Sequence, residues 1–256
     1  MREYQKRLAR LLAESRAFFF QEGLRLKDGR PSPYFVNLGV LNTGRLSREL
    51  GRCFAEWMVD EGLDSQVDVI VGPSYKGSAI AESAAQALWE FHGREVAFDY
   101  DRKEAKTYGE ATGHGYLFVT GAAAKGGRVL VVDDVGTSMA TKLDLVKKLG
   151  WLEPRVERPL EIMGVGLAVD RQQTQAVYDG NGRLRENKRG KDALAAFREE
   201  TGLTVWALLG IREMVEYLHS KQVEVLVNGA PRGLDEEIMQ RFYQYLSLYG
   251  REDIRP

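Results

Sequence analysis

The stretch VLVVDDVGTSMATK, residues 129–142, decides the reading of the fold. An apolar run, Val129 to Val132, ends in the acidic pair Asp133–Asp134. A Gly/Thr/Ser turn follows, then a helix-like run from Lys142 to Leu149. A short apolar run bounded by turn residues reads as a buried parallel strand. In open α/β sheets, ligands bind at the carboxyl ends of such strands. Two carboxylates there can accept hydrogen bonds from a sugar diol. A turn of small hydroxyl residues that opens a helix can cradle phosphate with N–H and O–H groups. Together these features predict a ribose 5-phosphate site. The same residues also fit an ordinary strand–turn–helix corner with a solvated acidic pair, so the neighbouring segments must decide.

Working outward, the chain alternates between strand and helix patterns. Helices are expected over 2–21, 46–61, 76–91, 140–149, 191–200 and 211–220. Strands are expected over 67–73, 95–100, 128–133, 161–169 and 203–209. An extended PYFVNLG piece lies within the turn-rich stretch 24–41, and AVYDGNGRLRE (176–186) reads as a hairpin with an Asn-Gly-type turn. Residues 101–127 read as a long, Gly-rich loop. This alternation implies an α/β fold, a parallel sheet covered by helices. Residues 1–220 are expected to form the main domain and 221–256 a C-terminal extension. In that tail Ile238, Phe242, Tyr245 and Tyr249 share one helical face.

Composition narrows the class. The 256 residues carry a formal charge of −1, with 44% hydrophobic and 29% charged side chains. That suits one large globular domain, with or without an appendage. Near-neutral charge argues against a nucleic-acid partner held by bulk electrostatics. The single cysteine, Cys53, excludes an internal disulfide and, beside Phe54 and Trp57, reads as a core residue. No apolar run approaches the ~20 residues of a membrane span. The N-terminus, MREYQKRLARLLAESR, is charged throughout and lacks a signal-peptide core. A soluble, cytoplasmic protein with no membrane partner is expected.

Four more segments bear on the site. VGPSYKG (71–77) puts Tyr75 and Lys76 just past a strand end, where the lysine can meet a pyrophosphate. DYDRKEAKTYGE (99–110) packs Arg102, Lys103 and Lys106 beside the Gly-rich loop, which suits a polyanionic leaving group and a closing lid. LKDGRPSPYFVNLG (26–39) can present backbone groups and Lys27 to a planar ligand. AVDRQ (168–172) places Arg171 at another strand end, where a guanidinium can take a carboxylate bidentately. Each has a plainer reading as a solvated charge, a structural turn or a surface salt bridge.

RPSPYFVNLGVLNTG, VGPSYKGSAIA, DRKEAK, VLVVDDVGTS and VDRQ, in this order, resemble bacterial orotate phosphoribosyltransferase from about Lys27 to Leu218. The resemblance implies a type I phosphoribosyltransferase-like parallel sheet flanked by helices. It also implies a small N-terminal hood, built largely from 1–45, and a C-terminal helical extension. It implies Mg²⁺-dependent transfer of ribose 5-phosphate from phosphoribosyl pyrophosphate to N1 of orotate, in de novo pyrimidine (UMP) synthesis. The metal would be bound mainly through substrate pyrophosphate and water, with no dedicated protein ligands. A homodimer with the basic loop shared across subunits is also implied.

By the same resemblance, Lys27, Tyr75 and Lys76 contact phosphoribosyl pyrophosphate. Arg102, Lys103 and Lys106 hold the pyrophosphate, and Lys106 is the leading catalytic candidate. Asp133 and Asp134 read the ribose hydroxyls. Val135, Gly136, Thr137, Ser138, Met139, Ala140 and Thr141 form the 5′-phosphate loop. Tyr34 and Phe35 line the orotate ring, Thr137 also faces it, and Arg171 takes its carboxylate.

Some positions depart from the family pattern. Tyr108 stands where a histidine is common, and tyrosine can donate a hydrogen bond but carries no positive charge. His114, six residues later, is a candidate substitute. Gly136 replaces an aliphatic residue. Met139 replaces a small one and is expected to crowd the phosphate loop. These departures keep two alternatives open: a related transferase for another base, and a non-catalytic phosphoribosyl pyrophosphate-sensing regulator.

Overall fold

The computed structural model describes residues 1–103, 117–136, 138–152 and 156–252. In chain order the elements are α1 (Glu3–Glu14), β1 (Phe18–Phe20), β2 (Tyr34–Val36), α2 (Gly44–Asp60), β3 (Val69–Gly72), α3 (Lys76–His92), β4 (Ala97–Tyr100) and β5 (Gly127–Gly136). There follow α4 (Ala140–Leu152), β6 (Leu160–Asp170), α5 (Ala193–Thr201), β7 (Thr204–Gly210), α6 (Ile211–Ser220), β8 (Val225–Val227), β9 (Ala230–Arg232) and α7 (Glu236–Tyr249).

The apolar runs form one five-stranded sheet in the order β4-β3-β5-β6-β7, with every pair parallel. The α/β fold expected from the sequence is the fold observed. Both faces of this sheet are covered, which is why its strands show no polar alternation. Ile70, Leu130, Val132, Ala168 and Leu208 face a core shared with α1, α2, α3 and α6. Val69, Val71, Val129, Val131, Val165 and Leu167 face a second core, with Leu145 and Leu149 of α4 and Phe197 of α5. The strand order reverses between β3 and β5, the topological switch point where α/β sheets open a crevice. That crevice lies between the Tyr75–Lys76 segment and the acidic pair.

Close packing fixes the β3–α3 corner. A Cβ on Gly72 would meet the Gly77 carbonyl oxygen at 1.9 Å, and one on Gly77 would meet Pro73 Cδ at 2.5 Å. Two glycines let the helix start sit directly on the strand end.

A second sheet, β2-β1-β8-β9, forms the hood. The single helix expected over 2–21 stops at Glu14. Arg16 takes a left-handed φ of 60°, and Phe18–Phe20 become a strand. Helical and strand patterns both tolerate three consecutive aromatics. Pairing decides here, because Phe18, Phe19 and Phe20 lie opposite Val36, Phe35 and Tyr34. The residues after 220 supply β8, which runs parallel to β1, and α7, whose Phe242 and Tyr245 rings pack against Tyr34. The 176–186 stretch folds back on itself, with Tyr178 bridged to Leu184 and Gly182 at φ 74°.

Candidate active site

A cleft of about 710 Å³ opens at the carboxyl ends of the central strands. This is an ordinary size for a small-molecule site. It gathers Lys27, Phe35, Lys76, Asp134, Val135, Ser138 and Arg171 from five separate segments. A second cavity, of about 640 Å³, lies between the hood and α7 and contains none of these groups.

The acidic pair divides its work. Adjacent strand residues point to opposite faces. Asp134 faces the cleft, with its Oδ2 3.0 Å from Lys76 Nζ and its Oδ1 accepting from the Val135 N–H at 2.7 Å. Asp133 points inward and is buried. Its Oδ2 lies 2.5 Å from Lys142 Nζ, and its Oδ1 accepts from the Asp134 N–H at 2.8 Å. Burial pushes the Asp133 carboxyl above its usual range, and the Lys142 charge opposes that shift. Lys142 is a residue that sequence reasoning missed. The signal was present: 142, 145, 149 and 152 form the single buried stripe of α4, and Lys142 occupies its first place.

The phosphate turn follows β5, which runs to Gly136 rather than ending at 133. A Cβ on Gly136 would meet Leu167 Cδ1 at 2.7 Å, so a side chain here would have to displace the tip of Leu167. Met139 does not crowd the turn as expected. It adopts a left-handed φ of 61° and buries its side chain in the core with Leu145 and Leu149. Ser138, Ala140 and Thr141 are left exposed at the start of α4. Unpaired N–H groups at a helix start attract anions, and α3 likewise begins at Lys76 on the cleft rim. Thr137 lies outside the described residues.

The base of the basic segment is firmly held. Buried Asp99 accepts hydrogen bonds from the N–H groups of Tyr100, Val119, Thr120 and Ala123 at 2.9–3.1 Å. Asp101 takes the Ser74 N–H at 2.7 Å and Lys148 Nζ at 2.6 Å, and it bridges to Phe118. Arg102 is half-buried with its Nε unpartnered among the described residues. Lys103 Nζ sits 4.4 Å from the ring centroid of exposed Tyr75. Lys106, Tyr108 and His114 lie outside the described residues.

The far wall of the cleft holds the ligand-reading groups. Arg171 is 4% exposed, yet no carboxylate lies within ion-pair distance among the described residues. Its Nη2 donates to Ser32 Oγ at 3.2 Å, its Nε is unpartnered, and its guanidinium lies over the Tyr34 ring. The Tyr34 side chain is turned away from the cleft, so only its backbone is left to meet a ligand ring. Tyr34 is fully buried among Phe18, Phe20, Phe242 and Tyr245. Strand alternation leaves Phe35 as the lining residue. Gln173, Gln175 and Tyr178 also border the cleft and were not anticipated. The polar run after β6 was the available signal.

The buried carboxyl of Asp170 anchors that run through Arg251 at 2.9 Å and the Gln172 N–H at 2.7 Å. Lys27 is exposed on the opposite lip, next to the Asp28–Arg30 ion pair of 2.6 Å.

Comparison with known proteins agrees with this geometry. Residues 41–175 match the phosphoribosyl transferase domain family. The chain is 36% identical over 248 residues to the orotate phosphoribosyltransferase of Bifidobacterium adolescentis, covering 95% of this chain and 96% of that one. It is 33% identical to the orotate phosphoribosyltransferase of an Enterobacter species, covering 86% and 91%. The fold superposes on the crystal structure of orotate phosphoribosyltransferase from Francisella tularensis with a TM-score of 0.68, 24% identity and coverage of 94% and 98%. The chain therefore belongs to the phosphoribosyl transferase family and, within it, to the orotate phosphoribosyltransferases.

Proposed function

We propose that this protein transfers the ribose 5-phosphate group of phosphoribosyl pyrophosphate to N1 of orotate, giving orotidine 5′-monophosphate and pyrophosphate. The observation that carries the reading is Arg171. It is a buried guanidinium without a carboxylate partner among the described residues, and it faces the cleft that the phosphate turn also borders. A buried charge is costly until it is paired. A planar base bearing a carboxylate supplies the missing partner, and a base without one does not.

The chemistry needs no nucleophilic side chain. Cleavage of C1–O leaves positive character on the ribosyl centre and negative charge on the departing pyrophosphate. The chain's task is to hold both partners in line and to stabilise that negative charge. Lys76, Arg102, Lys103 and Lys106 are the groups that would hold the pyrophosphate. Asp134 meets the ribose hydroxyls, and Ser138, Ala140 and Thr141 present the helix start to the 5′-phosphate. Arg171 and Phe35 orient the base. Closure of the basic segment would keep water from capturing the ribosyl cation.

Mg²⁺ dependence is part of the proposal. The rim carboxylate Asp134 fits an ion that keeps several waters and binds through one or two carboxylates plus substrate phosphates. When bound, the ion would neutralise charge on the pyrophosphate. A homodimer sharing its basic segments completes the reading, together with a cytoplasmic place in pyrimidine synthesis. No described helix is long and apolar enough to cross a membrane.

With the Met139 side chain in the core, the start of α4 stays open to a phosphate, and turnover is what separates a transferase from a non-catalytic sensor. A base screen with phosphoribosyl pyrophosphate and Mg²⁺ tests the assignment. Turnover with orotate, and none with uracil or adenine, is expected. Turnover with a base lacking a carboxylate, and none with orotate, would replace it with a related transferase.

A further inference from the structure

Lys142 occupies an unfavourable place. It lies in the first turn of α4, where the helix dipole disfavours a cation, and its side chain is 4% exposed. Two contacts offset this. Its Nζ lies 2.5 Å from Asp133 Oδ2 and donates to the Val135 carbonyl at 3.0 Å. Both acceptors belong to the last residues of β5. The other Asp133 oxygen holds the Asp134 N–H, and the Asp134 carboxylate in turn holds the Val135 N–H. A continuous polar chain therefore runs from the Lys142 ammonium, through Asp133 and the 134–135 backbone, to the carboxylate on the cleft.

We propose that Lys142 is a positioning residue for the phosphoribosyl subsite: it ties down the inward-turned Asp133 and the Val135 carbonyl, and so aims Asp134 and the phosphate turn at the ligand. The inference rests on the transferase reading and adds a residue to it. Lys142 touches no reacting atom. Groups that hold a ligand-contacting residue in place commonly change affinity by about ten- to a hundredfold when removed.

Two readouts test this: direct titration of phosphoribosyl pyrophosphate, and the KM for each substrate. Lys142→Met keeps the length and removes the charge. It is expected to weaken phosphoribosyl pyrophosphate at least about tenfold while the KM for orotate stays within about twofold. Lys142→Arg is expected to restore most of that affinity, because it keeps a charged donor. Leu145→Ala, on the same buried stripe but clear of Asp133, serves as the control. It should lower thermal stability without changing phosphoribosyl pyrophosphate affinity. If Lys142→Met does not fold, Lys142→Gln carries the test with the same direction expected.

Wild-type affinity in a folded Lys142→Met or Lys142→Gln variant would overturn the proposal. An equal loss in Leu145→Ala would also overturn it, by assigning the effect to general loosening. A wild-type protein that binds phosphoribosyl pyrophosphate but does not turn over would refute the transferase reading, and the titrations would still decide the role of Lys142. A wild-type protein that does not bind it would refute both.

Discussion

The guanidinium of Arg171 lies 4.7 Å from the ring centroid of Tyr34, and that ring is fully buried in the hood. The hood therefore supports the cation from behind and leaves its front edge to the cleft. A desolvated contact of this kind is worth about 2 kcal/mol, less than a buried cation needs from a true counter-ion. Arg171→Met should therefore keep or raise thermal stability. The same change should raise the KM for orotate at least about 30-fold, equivalent to about 2 kcal/mol. Arg171→Lys should recover little of this, because a point charge cannot grip a carboxylate bidentately. Paired melting and steady-state assays check both halves. Loss of stability with an unchanged orotate KM would make Arg171 structural.

Asp99 gathers four backbone N–H groups, three on Oδ1 and that of Ala123 on Oδ2. Asn can keep the first three but turns an NH₂ toward the Ala123 N–H. Asp99→Asn should cost about 1–3 kcal/mol in urea denaturation, the usual cost of an unsatisfied buried donor. Because Val119 and Thr120 close the base of the basic segment, turnover should fall as well.

Asp68 joins the starts of three strands. Its carbonyl accepts the Ala97 N–H, its own N–H reaches the Arg128 carbonyl, and its Oδ2 takes the Arg128 N–H at 2.8 Å. The Arg128 N–H, aided by its guanidinium, holds the carboxyl below its ordinary value. With the folded value depressed, the unfolded state binds the proton more readily. The contribution is therefore fully present above about pH 4 and disappears as pH falls through the depressed folded value. Asp68→Asn should be less stable than wild type at pH 7, by under about 1 kcal/mol because the pair is partly solvated. The two proteins should converge in strong acid. A constant gap across pH would remove the electrostatic explanation.

Cys53 is buried in α2, and burial pushes its thiol up to about 12. A thiol in that state is not a nucleophile at neutral pH. Iodoacetamide at pH 8 should leave the native protein unmodified and alkylate it once unfolded, as mass spectrometry would show. Alkylation of the native protein at the rate of the unfolded one would contradict the burial.

Much of this architecture is legible in the residues. The runs 129–132 and 164–169 are buried, as strands covered on both faces must be, and Asp134 and Arg171 follow at strand ends where ligands gather. Less legible are features set by tertiary pairing. Phe18–Phe20 become a strand because β2 and β8 flank them, and that register turns Tyr34 inward and Phe35 toward the cleft. Gly136 and Met139 looked like defects of a phosphate loop. One packs closely against the tip of Leu167, and the other belongs to the core. Lys142 was hidden because a lysine on a helix reads as solvated until the stripe it shares with Leu145 and Leu149 is known to be buried.

The most direct test of the central claim is the fall in orotate absorbance when the purified protein meets orotate, phosphoribosyl pyrophosphate and Mg²⁺. The account predicts a loss that requires all three components and is reversed by added pyrophosphate. An unchanged absorbance, in protein that is folded and binds phosphoribosyl pyrophosphate, would contradict it.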